Sequence, residues 1–244
     1  MNFNGFQNSN GNWMENASKN AHVQASASKT IAGVYGWMSF GVLISALMGL
    51  VLVQTQIIQA LGNFYYGVII AQLGVVLVMS FAAEKMSAAA LKGMFLFYAV
   101  LTGFTFAILM LIYPIGNFIA LFAMAAMGFA ALAVFGAVTK KNLGFMRTFL
   151  IMGVFMILGA NIVNIFIHSP ILRSFTGWAG ILVFSGLTAY DSQRIREGAY
   201  ELALHDAGDT QAIRKFMIFG ALTMYLNFIN LFISLLKVFG GNRD

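Results

Sequence analysis

The chain has no cysteine, which excludes disulfide staples and thiol chemistry and leaves the redox compartment unmarked. It has two prolines, Pro114 and Pro170, and each falls at the edge of an apolar run. Charged residues are 9% of the sequence, against roughly a quarter in soluble domains. Histidine is scarce too: His22, His168 and His205 lie far apart and form no metal-ligand spacing. There is no Gly-x4-Gly-Lys phosphate loop and no His-Glu-x2-His pair. Ser185 before Gly186 does not make a nucleophile elbow. An intramembrane aspartyl protease needs two buried carboxylates, and only Asp191 qualifies. These absences predict no enzyme, no metal and no cofactor.

What is present is apolar: 60% of residues are hydrophobic and the mean hydropathy is +0.82. Seven apolar runs follow one another, at about Ile31–Val53, Phe64–Ala83, Gly93–Tyr113, Ile115–Thr139, Thr148–Ile167, Ser174–Tyr190 or a little further, and Phe216–Phe239. Each is long enough to cross a hydrocarbon core of about 30 Å as a helix. The expected fold is an all-α integral membrane protein with seven transmembrane helices spanning residues 31–244, and its first partner is the lipid bilayer. Residues 1–30 are rich in Asn, Ser, Gly and Ala without apolar periodicity, and read as a disordered polar tail rather than a signal peptide.

The net charge of +6 does not point to nucleic acid, because the basic residues sit in short gaps between apolar runs. Lys19 and Lys29 precede the first run, Lys85 and Lys92 flank the second gap, and Lys140, Lys141 and Arg147 the fourth. Arg194, Arg196, Arg214 and Lys215 fall between the sixth and seventh. By the positive-inside rule the N-terminus is cytosolic. Lys237 and Arg243 then fall outside, so a re-entrant last segment stays open.

The polar residues inside the runs are few. The fourth run has Gly116, Ala120, Ala123, Ala126, Ala130, Ala133 and Ala137 at spacings of three and four, read as a packing stripe. Asn161, Asn164 and His168 share a face of the fifth, where the amides read as interhelical glue and the histidine as interfacial. The seventh has a polar stripe of Thr223, Asn227, Asn230 and Ser234. In the sixth, Ser185, Thr188 and Asp191 share one face. Two readings of Asp191 are open: a cap facing headgroup water, or an ionisable group facing a polar interior.

Gly186-Leu187-Thr188-Ala189-Tyr190-Asp191 followed by Gln193 resembles the signature of the Bax inhibitor-1 family of membrane proteins. Tyr225-Leu226-Asn227-Phe228-Ile229-Asn230-Leu231-Phe232 and Thr139-Lys140-Lys141-Asn142-Leu143 agree with it, and Val34-Tyr35-Gly36-Trp37-Met38 is similar to the bacterial branch. The resemblance covers residue 30 to the C-terminus. It implies a bacterial cytoplasmic membrane protein with the last helix at the centre, ringed by the other six. It also implies a stress-response role and a pH-sensitive cation leak, with calcium or another cation in transit.

In that family the partner of Asp191 is typically a second aspartate, and two carboxylates in contact share a proton. This chain has Asn227 there, an amide that can donate a hydrogen bond to the carboxylate. The candidate ion-pathway or pH-sensing residues are Asp191, Asn227, Thr188 and Thr223. Counted from Arg194 and Lys215, Asp191 lies shallow and Asn227 deep, so they meet only if the sixth helix continues past Asp191 or a cavity enters from the cytosol. Two functions are open. One is a leak that needs the four residues to line one cavity. The other is a protein that transports nothing and modulates another membrane protein, such as a quality-control protease.

Overall fold

The structure is a computed structural model that describes residues 20–55, 65–83, 85–205 and 210–241. Seven α-helices account for nearly all of them: α1 (Ala21–Gln54), α2 (Tyr65–Ala82), α3 (Ala88–Ile112), α4 (Ile115–Val138), α5 (Arg147–Ile167), α6 (Pro170–His205) and α7 (Thr210–Phe239). A single 3-10 turn, Gly144–Met146, leads into α5, and no strand occurs among the described residues. Six of the helices are long and apolar enough to cross a membrane, and α2 adds a shorter apolar stretch, Gly67–Ala82. The protein is therefore an all-helical, multi-pass membrane protein.

Two helices run further than the apolar runs predict. α1 begins at Ala21, not near Ile31, because the Asn20 side chain accepts from the amides of His22 at 3.1 Å and Val23 at 3.4 Å. Val23, Ala27 and Thr30 then extend the buried stripe of Val34, Met38, Gly41 and Ser45. Residues 21–30, expected in a disordered tail, are thus part of the packed helix; residues 1–19 lie outside the described residues. α6 continues past Tyr190 to His205, burying Ile195, Ala199, Leu202 and Ala203. Arg194 and Arg196, expected in a gap, are helical.

α7 is central, packing against α1, α3, α4 and α6, with Met224, Tyr225 and Phe232 fully enclosed. The expected ring of six is corrected to four helices packed backbone to backbone on α7, since α2 packs on α3, and α5 packs on α6 and reaches α7 through the Asn161 side chain. Phe106, Phe118 and Phe122 surround Phe232 edge-on, with ring centroids 5.0–5.5 Å away. Near the middle of α7, Tyr225 fits edge-on against Phe95 and Tyr98, and its hydroxyl lies 2.6 Å from Ser45 Oγ. Ser45 also donates to the Ala99 carbonyl at 2.7 Å, tying α1 to α3 beside α7.

The α4 stripe is corrected as well. Ala120, Ala123, Ala126 and Ala130 are exposed, while the helix buries Phe118, Leu121, Ala125, Phe129, Ala133 and Gly136. The close backbone approach is at Gly136, where any Cβ would run into the Ala189 carbonyl of α6. The seam alternates large and small residues, and of the expected stripe alanines only Ala133 is buried in it.

Candidate functional site

α6 and α7 are antiparallel neighbours joined at residues 206–209. At 1.5 Å per residue, Asp191 and Asn227 each stand roughly 20–25 Å from that end. The extended α6 thus removes the mismatch of depth, and no cytosolic cavity is needed to bring the two together. Asn227 Nδ2 donates to Asp191 Oδ2 at 2.7 Å, with the two residues 5% and 7% exposed. Asp191 is mid-helix and enclosed, which rules out the cap facing headgroup water. Arg194 and Arg147 are the cations that act on its charge.

The two threonines behave differently. Thr188 is fully buried and its hydroxyl donates to the Phe184 carbonyl at 2.7 Å. Thr223 is half-buried and donates to Phe219 at 3.1 Å. Both hydroxyls are satisfied within their own helices. The rest of the α7 stripe does the same: Asn230 donates to Leu226 at 2.8 Å and Ser234 to Asn230 at 2.7 Å. Asn227 is the member of the stripe that reaches across to α6.

Around the pair the structure adds residues that the motifs contain but whose roles were not read from them. Tyr35 of α1 donates to Ser192 Oγ at 3.0 Å, and Ser192 donates to the Thr188 carbonyl at 2.7 Å. Gln193, 4% exposed, clasps the α4–α5 turn: Nε2 donates to the Lys141 carbonyl at 2.9 Å and Oε1 accepts from Leu143 N at 2.9 Å. Arg196 donates to the Ala137 carbonyl at the end of α4. Four polar positions within six residues, 191 to 193 and 196, thus tie α6 to α7, α1, the α4–α5 turn and α4. The signal was the co-occurrence of three polar motifs, which contact one another in space.

At the other end of the bundle, Lys237 donates to Asn161 Oδ1 at 2.8 Å, so this amide does act across helices, as expected. Asn164 instead accepts from Ser169 N at 2.8 Å just past its own helix. His168 is the exposed, left-handed C-cap of α5, with φ 54°.

A cavity of about 460 Å³ lies between α1 and α4, floored by Phe228. None of Asp191, Asn227, Thr188 and Thr223 lines it. Among the described residues no three His, Asp or Glu side chains group as a metal site.

Compared with known proteins, residues 27–244 match the family described as "Inhibitor of apoptosis-promoting Bax1". The chain is 36% identical over 217 residues to inner membrane protein YbhL of Escherichia coli K12, covering 87% of this chain and 92% of that protein. It is 34% identical over 217 residues to the membrane protein SpyM3_0260 of Streptococcus pyogenes, covering 86% and 92%. The three motifs that meet around Asp191 all fall inside the residues that match the family.

Proposed function

As the chain belongs to the Bax inhibitor-1 family, we propose that it is a bacterial inner-membrane protein in which the Asp191–Asn227 contact is the closed gate of a passive cation path, calcium among the cations in transit. The observation that carries this is the bond itself: a buried carboxylate on α6 held at 2.7 Å by an amide of the central helix. A carboxylate costs about 2.5–3.5 kcal/mol at a membrane helix centre on insertion scales, so it marks a functional site by default. With the two side chains in contact, separation of α6 from α7 opens the route, and the released carboxylate is the cation's ligand. The Lys- and Arg-rich end, with Lys29, Lys140, Lys141 and Arg214, is the cytosolic one, as is the N-terminus. No residue is assigned a catalytic step.

A second reading has its own support. Arg147 and Arg194 act on the Asp191 carboxylate and oppose an approaching cation, and the α1–α4 cavity leaves the four polar residues out. On this reading the pair is a structural clasp and the protein modulates another membrane protein. Purified protein in liposomes loaded with a calcium dye separates the two. The gate reading expects calcium entry above protein-free vesicles; folded protein with no entry sinks it and leaves the clasp.

A further inference from the structure

α1 packs on α3, α6 and α7, and α4 packs chiefly on α6 and α7, but the backbones of α1 and α4 stay apart among the described residues. The gap between them is the cavity of about 460 Å³. Met38 and Val42 form one wall, Ala126, Ala130 and Ala133 the other, and Phe228 the floor. The alanines leave the α4 wall recessed between the larger Phe122 and Phe129. Interiors are packed to near crystal density, so a space worth many waters at about 30 Å³ each is not left empty beside lipid, and its mostly apolar walls offer water few partners beyond Tyr35 and Ser39.

The groove opens to the lipid-facing side through the exposed Ala126, Ala130 and Val134, so a hydrocarbon chain of the bilayer enters it directly. Charge decides which lipid. One end of the groove carries charge. Tyr35 and Ala137 lie at that end, and Ala137 receives the Arg196 guanidinium, whose Nε is buried without a hydrogen-bond partner. Just past Ala137, Lys140 and Lys141 stand exposed. Glu197 is the acidic neighbour of Arg196.

We infer that the α1–α4 groove holds one acyl chain of an anionic phospholipid, whose headgroup is bound at the end marked by Ala137 through Arg196, Lys140 and Lys141. The site is separate from the Asp191–Asn227 pair and does not depend on whether the protein conducts ions.

The test uses the full chain in phosphatidylcholine vesicles carrying a trace of diazirine-acyl phosphatidylglycerol or diazirine-acyl phosphatidylcholine. Photolysis is followed by mapping of the adducts by mass spectrometry. The phosphatidylglycerol probe is expected to label residues 35–42 and 122–137 well above the exposed face of α5 at Phe155 and Phe166. Ala130→Trp, at an exposed position, should fill the groove and abolish that labelling while α5 labelling persists. Lys140→Gln with Lys141→Gln should lower groove labelling by the anionic probe about five-fold per charge removed, leaving the zwitterionic probe unchanged. Equal labelling of the groove by both probes overturns the headgroup site. Even labelling of the groove and α5, or adducts displaced by a cross-linked second protein, overturns the lipid site altogether.

Discussion

Asn227 on α7 donates its side-chain amide to the Asp191 carboxylate on α6 at 2.7 Å, both residues being buried. The amide brings a donor to the carboxylate and no second negative charge. α6 and α7 are therefore held together by a contact that does not require a shared proton. A pair of carboxylates in the same place would.

Asn227→Asp converts the contact into such a pair. At low pH the two carboxylates hold at least one proton and close by a hydrogen bond; at high pH both ionise and repel. Spin labels at the exposed positions Leu204 and Arg214 would report the α6–α7 separation over roughly pH 5–8. The variant should widen as pH rises, with a step the parent lacks. Superimposable titrations would mean that the two carboxylates are not coupled.

Gln193 holds the α4–α5 turn through both ends of its amide. Gln193→Ala leaves the buried Leu143 N–H without its acceptor, a loss of about 1–3 kcal/mol, and hands the Lys141 carbonyl to water. Hydrogen exchange at Leu143 should accelerate far more than at Leu150, which is buried in the next turns of α5. Equal protection in variant and parent would show that the turn is held by something else.

Gly136→Leu places a side chain against the Ala189 backbone two residues from Asp191, whereas Ala123→Leu points away from the bundle. Overpacking costs typically about 1–3 kcal/mol and surface changes stay within about 0.5 kcal/mol. Thermal denaturation in detergent should therefore separate the two variants clearly. A destabilised Ala123→Leu beside an unaffected Gly136→Leu would restore the alanine stripe as the packing seam.

The number and order of the membrane helices were legible because length and hydropathy decide them, and six of seven are long enough on those grounds alone. Helix ends were less so. Val23, Ala27 and Thr30 do not stand out among His22, Gln24, Ser26, Ser28 and Lys29, yet they pack because α1 has neighbours there. Arg194 and Arg196 were read as a gap because charge ends a hydropathy run; in the fold one acts on Asp191 and the other caps Ala137. The alanine stripe misled because small residues suit a packing seam and a lipid-facing groove alike. The pairing of Asp191 with Asn227 came from the resemblance; spacing within either helix carries no information about the other. Gln193 and Tyr35 stood inside quoted motifs, but their partners are more than forty residues away in sequence.

The absence of native cysteine makes the orientation directly accessible. Gly116→Cys, at the α3–α4 end, should react with an impermeant maleimide in intact cells. Lys140→Cys, in the exposed α4–α5 turn, should react only after permeabilisation. The reverse pattern would put the basic end outside.

Calcium entry into liposomes, compared among the parent, Asn227→Ala and Asp191→Asn, tests the gate most directly. Asn227→Ala removes the donor that holds Asp191 and leaves its charge, so entry should rise above the parent. Asp191→Asn keeps an amide that can still bond Asn227 but removes the cation's ligand, so entry should fall to that of protein-free vesicles. Equal entry in all three folded proteins would contradict the gate.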